Sequence, residues 1–289
     1  MKDIESVMAT DVINVEQPEK NKALRKFRAL VLNATKILAI GTPLMFIFAG
    51  LGSKFGLWSW EFGLQTLTQK LGPILLIATA VMAVLSMILA AFAPKKGFWL
   101  GAFAMIVPLF GLGQLLNVKN KVDSLPYIHD ITTNTQDVPE FTSAILSERA
   151  KVKNVNSVDY LGKMAPTQKK DADGKPVKEL VAALQSKAYP KVRPLILSKS
   201  PEAAFTQVKA LIKEMDWALK SEDAAAGIIE ATDSTFWYGF KDDIVIRLRS
   251  AEGGGTVVDV RSVSRVGTSD IGANATRIRI FINKLSQDS

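Results

Sequence analysis

The sequence predicts an α-helical membrane region followed by an α+β soluble domain, an antiparallel sheet packed on two helices in a helix-grip-like arrangement. Three observations lead there. Long apolar runs crowd the first 116 residues, and the last hundred follow the order strand, helix, strands, helix. Between them, residues 117–188 turn polar, with lysines, asparagines and serines around short apolar islands. The expected organisation is a cytoplasmic tail over 1–28, three spans within 29–116, a polar connector with extended segments over 117–188 and a compact domain over 189–289.

The first apolar run, 29–51, has about the length that crosses a hydrocarbon core. The second, 71–93, carries no charge, and the third, 98–116, is interrupted by Pro108 and several glycines. Membrane helices tolerate such breakers because neighbouring helices satisfy the freed backbone groups. A cleaved signal peptide fits poorly, since the first run begins late and is too long. Lys20, Lys22, Arg25, Lys26 and Arg28 precede the first span, and Lys95 and Lys96 lie between the second and third. Lys54, Lys70, Lys119 and Lys121 lie on the opposite side. Basic residues mark the cytoplasmic side of a span, so the N-terminus is expected inside and the domain outside. In a two-membrane bacterium that means the inner membrane and the periplasm. Lys36, inside the first span, is close enough to its cytoplasmic end to snorkel. Trp58 and Trp60 fall where an interfacial aromatic belt belongs. The glycines at 50, 52 and 56 have the wrong spacing for a dinucleotide loop.

Composition excludes several chemistries. The chain has no cysteine and one histidine, His129. Disulfide scaffolds, thiolate metal sites and cysteine nucleophiles are therefore ruled out, and no metal or cofactor is expected. A net charge of +8 and a pI near 9.5 ordinarily raise nucleic-acid binding. Residues 1–116, however, hold 11 basic and 6 acidic residues, a net +5, much of it at span ends. Residues 117–289 hold 25 and 22, a net +3, which is too modest to argue for nucleic acid.

Within the polar stretch, 177–187 suggests a short helix with Leu180, Ala183 and Leu184 on one side. Asp171-Ala172-Asp173-Gly174 lacks the later ligands of a calcium loop and reads as a solvated turn. Residues 192–197 suit a strand. Ser200 then caps a helix with Pro201 at its first position. Ala204, Phe205, Val208, Leu211, Ile212, Met215 and Leu219 follow at helical spacing. Strands are expected over 227–232, 244–250 and 256–264, the last two joined by the glycine-rich turn 251–255. In the closing helix Ile271, Ala275, Ile278, Ile282 and Leu285 share a face, Arg277, Arg279 and Lys284 point elsewhere, and Ser269 or Asp270 supplies the cap.

The densest polar cluster lies between Phe236 and Arg277. Its candidates are Asp242, Asp243, Arg261, Ser262, Ser264, Arg265, Asp270, Asn274 and Arg277. If the hairpin centres on its glycines, Asp259 falls near Arg247 and Asp243 diagonally from Arg261. Asp242 and Asp243 then face opposite ways, which counts against a carboxylate dyad. Two readings follow. The first is a structural ion-pair lattice fixing the last helix on the sheet. In the second, the arginines, with Ser262, Ser264 and the amides opening that helix, hold a phosphate or carboxylate. His129-Asp130 is a weaker base–orienter pair.

Three stretches carry a resemblance: "FWYGFKDDIVIR" (236–247), "VDVRSVSRVGTSDIGANATRIRIF" (258–281) and "PYIHDITTNTQDVPEF" (126–141). They resemble the bacterial and plastid family of domain of unknown function 1499. The likeness covers about 126–285, leaves the three spans outside and implies no activity. The expectation is therefore a membrane-anchored envelope protein, without evident chemistry, whose extracytoplasmic domain meets a protein or lipid partner. The alternative is an enzyme or carrier acting on an anionic envelope molecule through the arginine–serine cluster.

Overall fold

A computed structural model describes residues 2–91 and 96–287, with side chains over 22–91 and 97–287. Two compact units divide between Asn117 and Val118. The first is helical: α1 (Lys2–Lys54), a π-helical turn segment (Glu61–Leu71) running into α2 (Gly72–Ala91), and α3 (Lys96–Ser124). Three helical stretches, Lys22–Lys54, Glu61–Ala91 and Gly97–Ser124, are long and apolar enough to cross a membrane. Large apolar side chains such as Ile37, Ile74 and Phe103 face outward, which suits a lipid solvent. The expected tail is not a separate element but the first part of α1, and α3 continues through Pro108. Residues 92–93 of the second expected span lie outside the described residues, as do Lys95 and the side chains of Lys20 and Lys96.

Small polar side chains join α1 to α2. Thr35 Oγ1 lies 2.8 Å from Ser86 Oγ and also bonds the Val31 carbonyl, and Thr42 Oγ1 lies 3.0 Å from Thr79 Oγ1. Trp58 folds back over Gly52 and donates its Nε1–H to the Ala49 carbonyl, so it packs against α1. Lys36 lies exposed on α1.

The second unit is α+β. Its strands are β1 (Asp130–Thr132), β2 (Met164–Lys170), β3 (Pro176–Leu180), β4 (Leu195–Leu197), β5 (Ala218–Asp223), β6 (Ile228–Ser234), β7 (Lys241–Ser250) and β8 (Thr256–Ser264). Its helices are α4 (Ser143–Arg149), α5 (Val181–Ala188), α6 (Pro201–Glu214) and α7 (Ala273–Gln287). Six strands form one antiparallel sheet in the order β1-β8-β7-β6-β5, with β4 also on β8; β2 and β3 form a separate hairpin. Ile244, Ile246, Leu248, Val258 and Val260 face α6 and α7 across the main core, where Trp217 stacks on Phe281 at 5.4 Å. The opposite face carries a smaller apolar cluster of Phe141, Ile145, Val245 and Val263.

The stretch expected as a connector is part of this unit. It supplies β1 to the sheet, α4 to one face, and the β2–β3 hairpin with α5. Its strand character is concealed because β1 is three residues long and buries Asp130 and Thr132 alongside Ile131. The expected helix over 177–187 is a strand followed by a helix, with Leu180 and Ala183 exposed and Leu184 buried. Asp171 forms the expected turn, its Oδ1 accepting from the amides of Asp173 and Lys175. Helix α6 begins as expected, with Ser200 Oγ accepting from Ala203 N. It ends early, because Asp216 turns left-handed at φ 56° and Leu219 passes onto β5.

Candidate functional site

The β7–β8 register builds the polar cluster. Asp242 stands opposite Ser264, Asp243 opposite Val263, Val245 opposite Arg261 and Arg247 opposite Asp259. Alternation along each strand then sends the cluster to both faces of the sheet. The nine candidates do not form one site.

On the α7 face, Arg277 donates Nε–H to Asp233 at 2.8 Å and Nη2–H to Asp242 at 2.6 Å. Its Nη1 reaches Asn274 Oδ1 at 2.5 Å and Ser262 Oγ at 3.2 Å. Asn274 accepts from Ser262 and donates to Ser264 Oγ and the His129 carbonyl. Arg277 was expected to point away from the core; it is buried there because these acceptors surround it. Asp270 does cap α7, accepting from the amides of Gly272 and Asn274 at 3.0 and 2.7 Å. Burial pushes its carboxyl up to about 6, against the pull of those amides.

On the other face, Arg265 donates to both oxygens of Asp243 and to Glu148, and Arg149 donates to Asp243 at 2.8 Å. Thr232 donates its hydroxyl to the same carboxylate. Asp243 is thus diagonal to Arg261 in register but bonded to other arginines. Arg261 grips Asp130 through two parallel bonds of 3.0 and 2.7 Å and also donates to the carbonyls of Pro139 and Val158. Asp259 takes Arg247 and Arg249 at 2.9 and 2.7 Å, the cross-strand pair the hairpin register predicts. Glu230, wholly buried, accepts from Thr142 and Ser221.

Sequence reasoning missed Arg149, Glu148, Asp233 and Glu230. The first two sit on α4, seven residues with too few turns to display a period. The available signal was Thr142, which caps that helix.

The arrangement leaves the three candidate arginines 2%, 5% and 8% exposed, in the order Arg261, Arg265, Arg277, each bound to carboxylates of the same chain. A cleft of about 370 Å³ reaches Arg261 past Phe141 and Tyr160, but the guanidinium there is already occupied by Asp130 and two carbonyls. Lattice geometry holds strand, loop and helix together, and each of these three guanidinium groups already faces a carboxylate of the same chain.

His129 lies apart from Asp130 in its bonding. Its Nδ1 faces the Thr268 carbonyl and its Nε2 faces Lys163 Nζ, both at 3.4 Å, beside a cavity of about 170 Å³. Asp130 is held by Arg261 and does not orient the ring. Burial, then the Lys163 charge, lower the His129 pKa from its ordinary value. Among the described residues, no group of three or more His, Asp or Glu is placed to hold a metal.

Fold and lattice together define a class: an α+β domain with a charge-laced sheet, preceded in the chain by helices able to enter a bilayer. The chain belongs to the family described as Protein of unknown function (DUF1499), whose model matches residues 130–285. The match begins at β1, within the stretch first taken for a connector. No curated protein matches the sequence.

Proposed function

We propose that this is a membrane-anchored protein of the bacterial cell envelope, multi-pass in the inner membrane, with a cytoplasmic N-terminus and a periplasmic domain. That domain binds a protein or lipid partner through its surface. The observation that carries this reading is the pairing of Arg261, Arg265 and Arg277 with carboxylates of the same chain. A carrier or enzyme for an anionic envelope molecule needs arginines open to solvent, so burial and internal charge pairing favour the binding module over that alternative. The outward apolar side chains of the three long helices support the bilayer. The seven-to-four bias of lysine and arginine supports the orientation.

The chain's lack of cysteine makes the topology directly testable. Glu252→Cys in the domain is expected to react with a membrane-impermeant maleimide in cells whose outer membrane is permeabilised. Lys22→Cys is expected to react only after lysis. The reverse pattern overturns the orientation. Crosslinking in intact envelopes then tests the binding role, and capture of neither a specific protein nor lipid overturns it.

A further inference from the structure

We infer that the β6–β7 tip, Phe236-Trp237-Tyr238-Gly239-Phe240, is an interfacial anchor that seats the domain on a lipid bilayer. The inference deepens the lipid arm of the proposed function and rests on the apolar helices occupying a membrane.

Composition is the first support. Four of five successive residues are aromatic, Phe236 is 65% exposed and Trp237 46%, and exposed Lys241 follows at once. Aromatic rings beside a lysine suit the headgroup level of a bilayer, where the ring sheds water and the ammonium meets phosphate.

Rigidity is the second. Thr235 donates its amide to the Phe240 carbonyl and its hydroxyl to the Trp237 carbonyl, and accepts from Phe240 N. Tyr238 and Gly239 are both left-handed, at φ 62° and 65°, a conformation a tyrosine adopts at a cost. The Thr235 hydrogen bonds hold the turn against that cost and leave the Phe236 and Trp237 rings exposed at its tip.

Position is the third. Asp130 pairs with Val263, which pairs with Asp243, two residues from the tip's end at Lys241. The tip therefore lies at the end of the sheet where the chain arrives from α3, two strands away. Five residues separate Ser124 from Asp130. With the polar last turns of α3, the path from Leu116 to Asp130 is at most about 34 Å. The β7–β8 turn, with exposed Glu252, lies at the opposite end, a further ~30 Å along β8.

The test uses the full chain in vesicles of phosphatidylcholine and phosphatidylglycerol, with incorporation verified by flotation. Phe236→Cys and Glu252→Cys each receive an environment-sensitive fluorophore. The expected result is blue-shifted, severalfold brighter emission at 236, quenched by lipid carrying a nitroxide near its headgroup, and aqueous emission at 252. Trp237→Ser in a chain labelled at Ser234→Cys is expected to weaken that quenching. Aqueous emission at both positions overturns the inference. So does apolar emission at 236 that nitroxide lipid leaves unchanged, since a protein then covers the tip. Failure to float indicts the membrane-anchor reading instead.

Discussion

Asp242 and Asp243 are neighbours in the chain yet serve opposite faces of one sheet: the first holds Arg277 of α7, the second Arg149 of α4 and Arg265, the residue after β8. Their consequences for stability differ. Asp243→Asn leaves Arg149 without a carboxylate and Arg265 with Glu148 alone, and is expected to cost about 3–5 kcal/mol. Asp242→Asn leaves Arg277 its second carboxylate, Asp233, and is expected to cost clearly less. Denaturant unfolding of the two variants checks the ranking, which equal losses would overturn.

Asp270 gives the folded chain a proton that the unfolded chain lacks. Its carboxyl, ordinarily near 3.8, is raised to about 6, so the native state binds more protons between those values. Its contribution to stability is therefore greatest at low pH and falls as pH rises from about 4 to 6. Partial exposure holds the effect to roughly 1–3 kcal/mol. Asp270→Asn, which keeps one capping oxygen, should flatten that portion of the pH–stability curve. An unchanged slope would remove Asp270 as its source.

A single histidine makes one NMR titration unambiguous. The His129 midpoint is expected below 6.5, because burial and then Lys163 disfavour the imidazolium. Lys163→Gln should raise the midpoint without restoring it fully, burial being the larger cause. A folded-state pKa below the unfolded one also means this residue's contribution is present above 6.5 and declines as pH falls. A midpoint at or above 6.5 sinks the assignment.

Two adjacent glycines in the β7–β8 turn separate strain from collision. Gly254 has φ 100° and open space around a Cβ, so Gly254→Ala is expected to cost about 1–2 kcal/mol through backbone strain alone. A Cβ on Gly255 lies 2.2 Å from the Leu197 carbonyl oxygen as well, so Gly255→Ala should cost more and loosen β4 from β8. Thermal unfolding with amide exchange at Leu195 and Leu197 distinguishes the two.

In the helical unit, Ser86→Ala removes the hydroxyl facing Thr35 and is expected to cost about 0.5–1 kcal/mol. Gly101→Leu should cost more, since a Cβ there lies 2.5 Å from the Ala83 carbonyl oxygen. Resistance to unfolding in mixed detergent micelles reports both. A Gly101→Leu variant as stable as the parent would argue against close helix contact.

The most legible parts of the sequence were those in which a period runs long enough to be counted. Strand β8 occupies the predicted 256–264, and α6 starts at its predicted proline, because alternation and the Ser200 cap are local signals. The end of α6 was hidden, since Leu219 continues the helical spacing while Asp216 breaks the backbone without a glycine. Gln185 was hidden for another reason: it clasps the amide and carbonyl of Thr132, 53 residues away, and no spacing encodes that contact. Residues of the lattice were recognisable by type. Their division between two faces awaited the strand register, and Arg277, set off the apolar face of its helix, is interior because acceptors surround it.

Alternating charges on β7 and β8 also proofread the sheet. A slip by one residue would carry every side chain of β7 to the other face, setting Asp243 among the apolar residues beneath α6 and α7 and removing Asp242 from Arg277. Arg247 would lose its cross-strand partner Asp259 in the same step. Wrong alignments of the hairpin thus incur buried, uncompensated charge, so the lattice rejects misfolded registers as well as securing the native one.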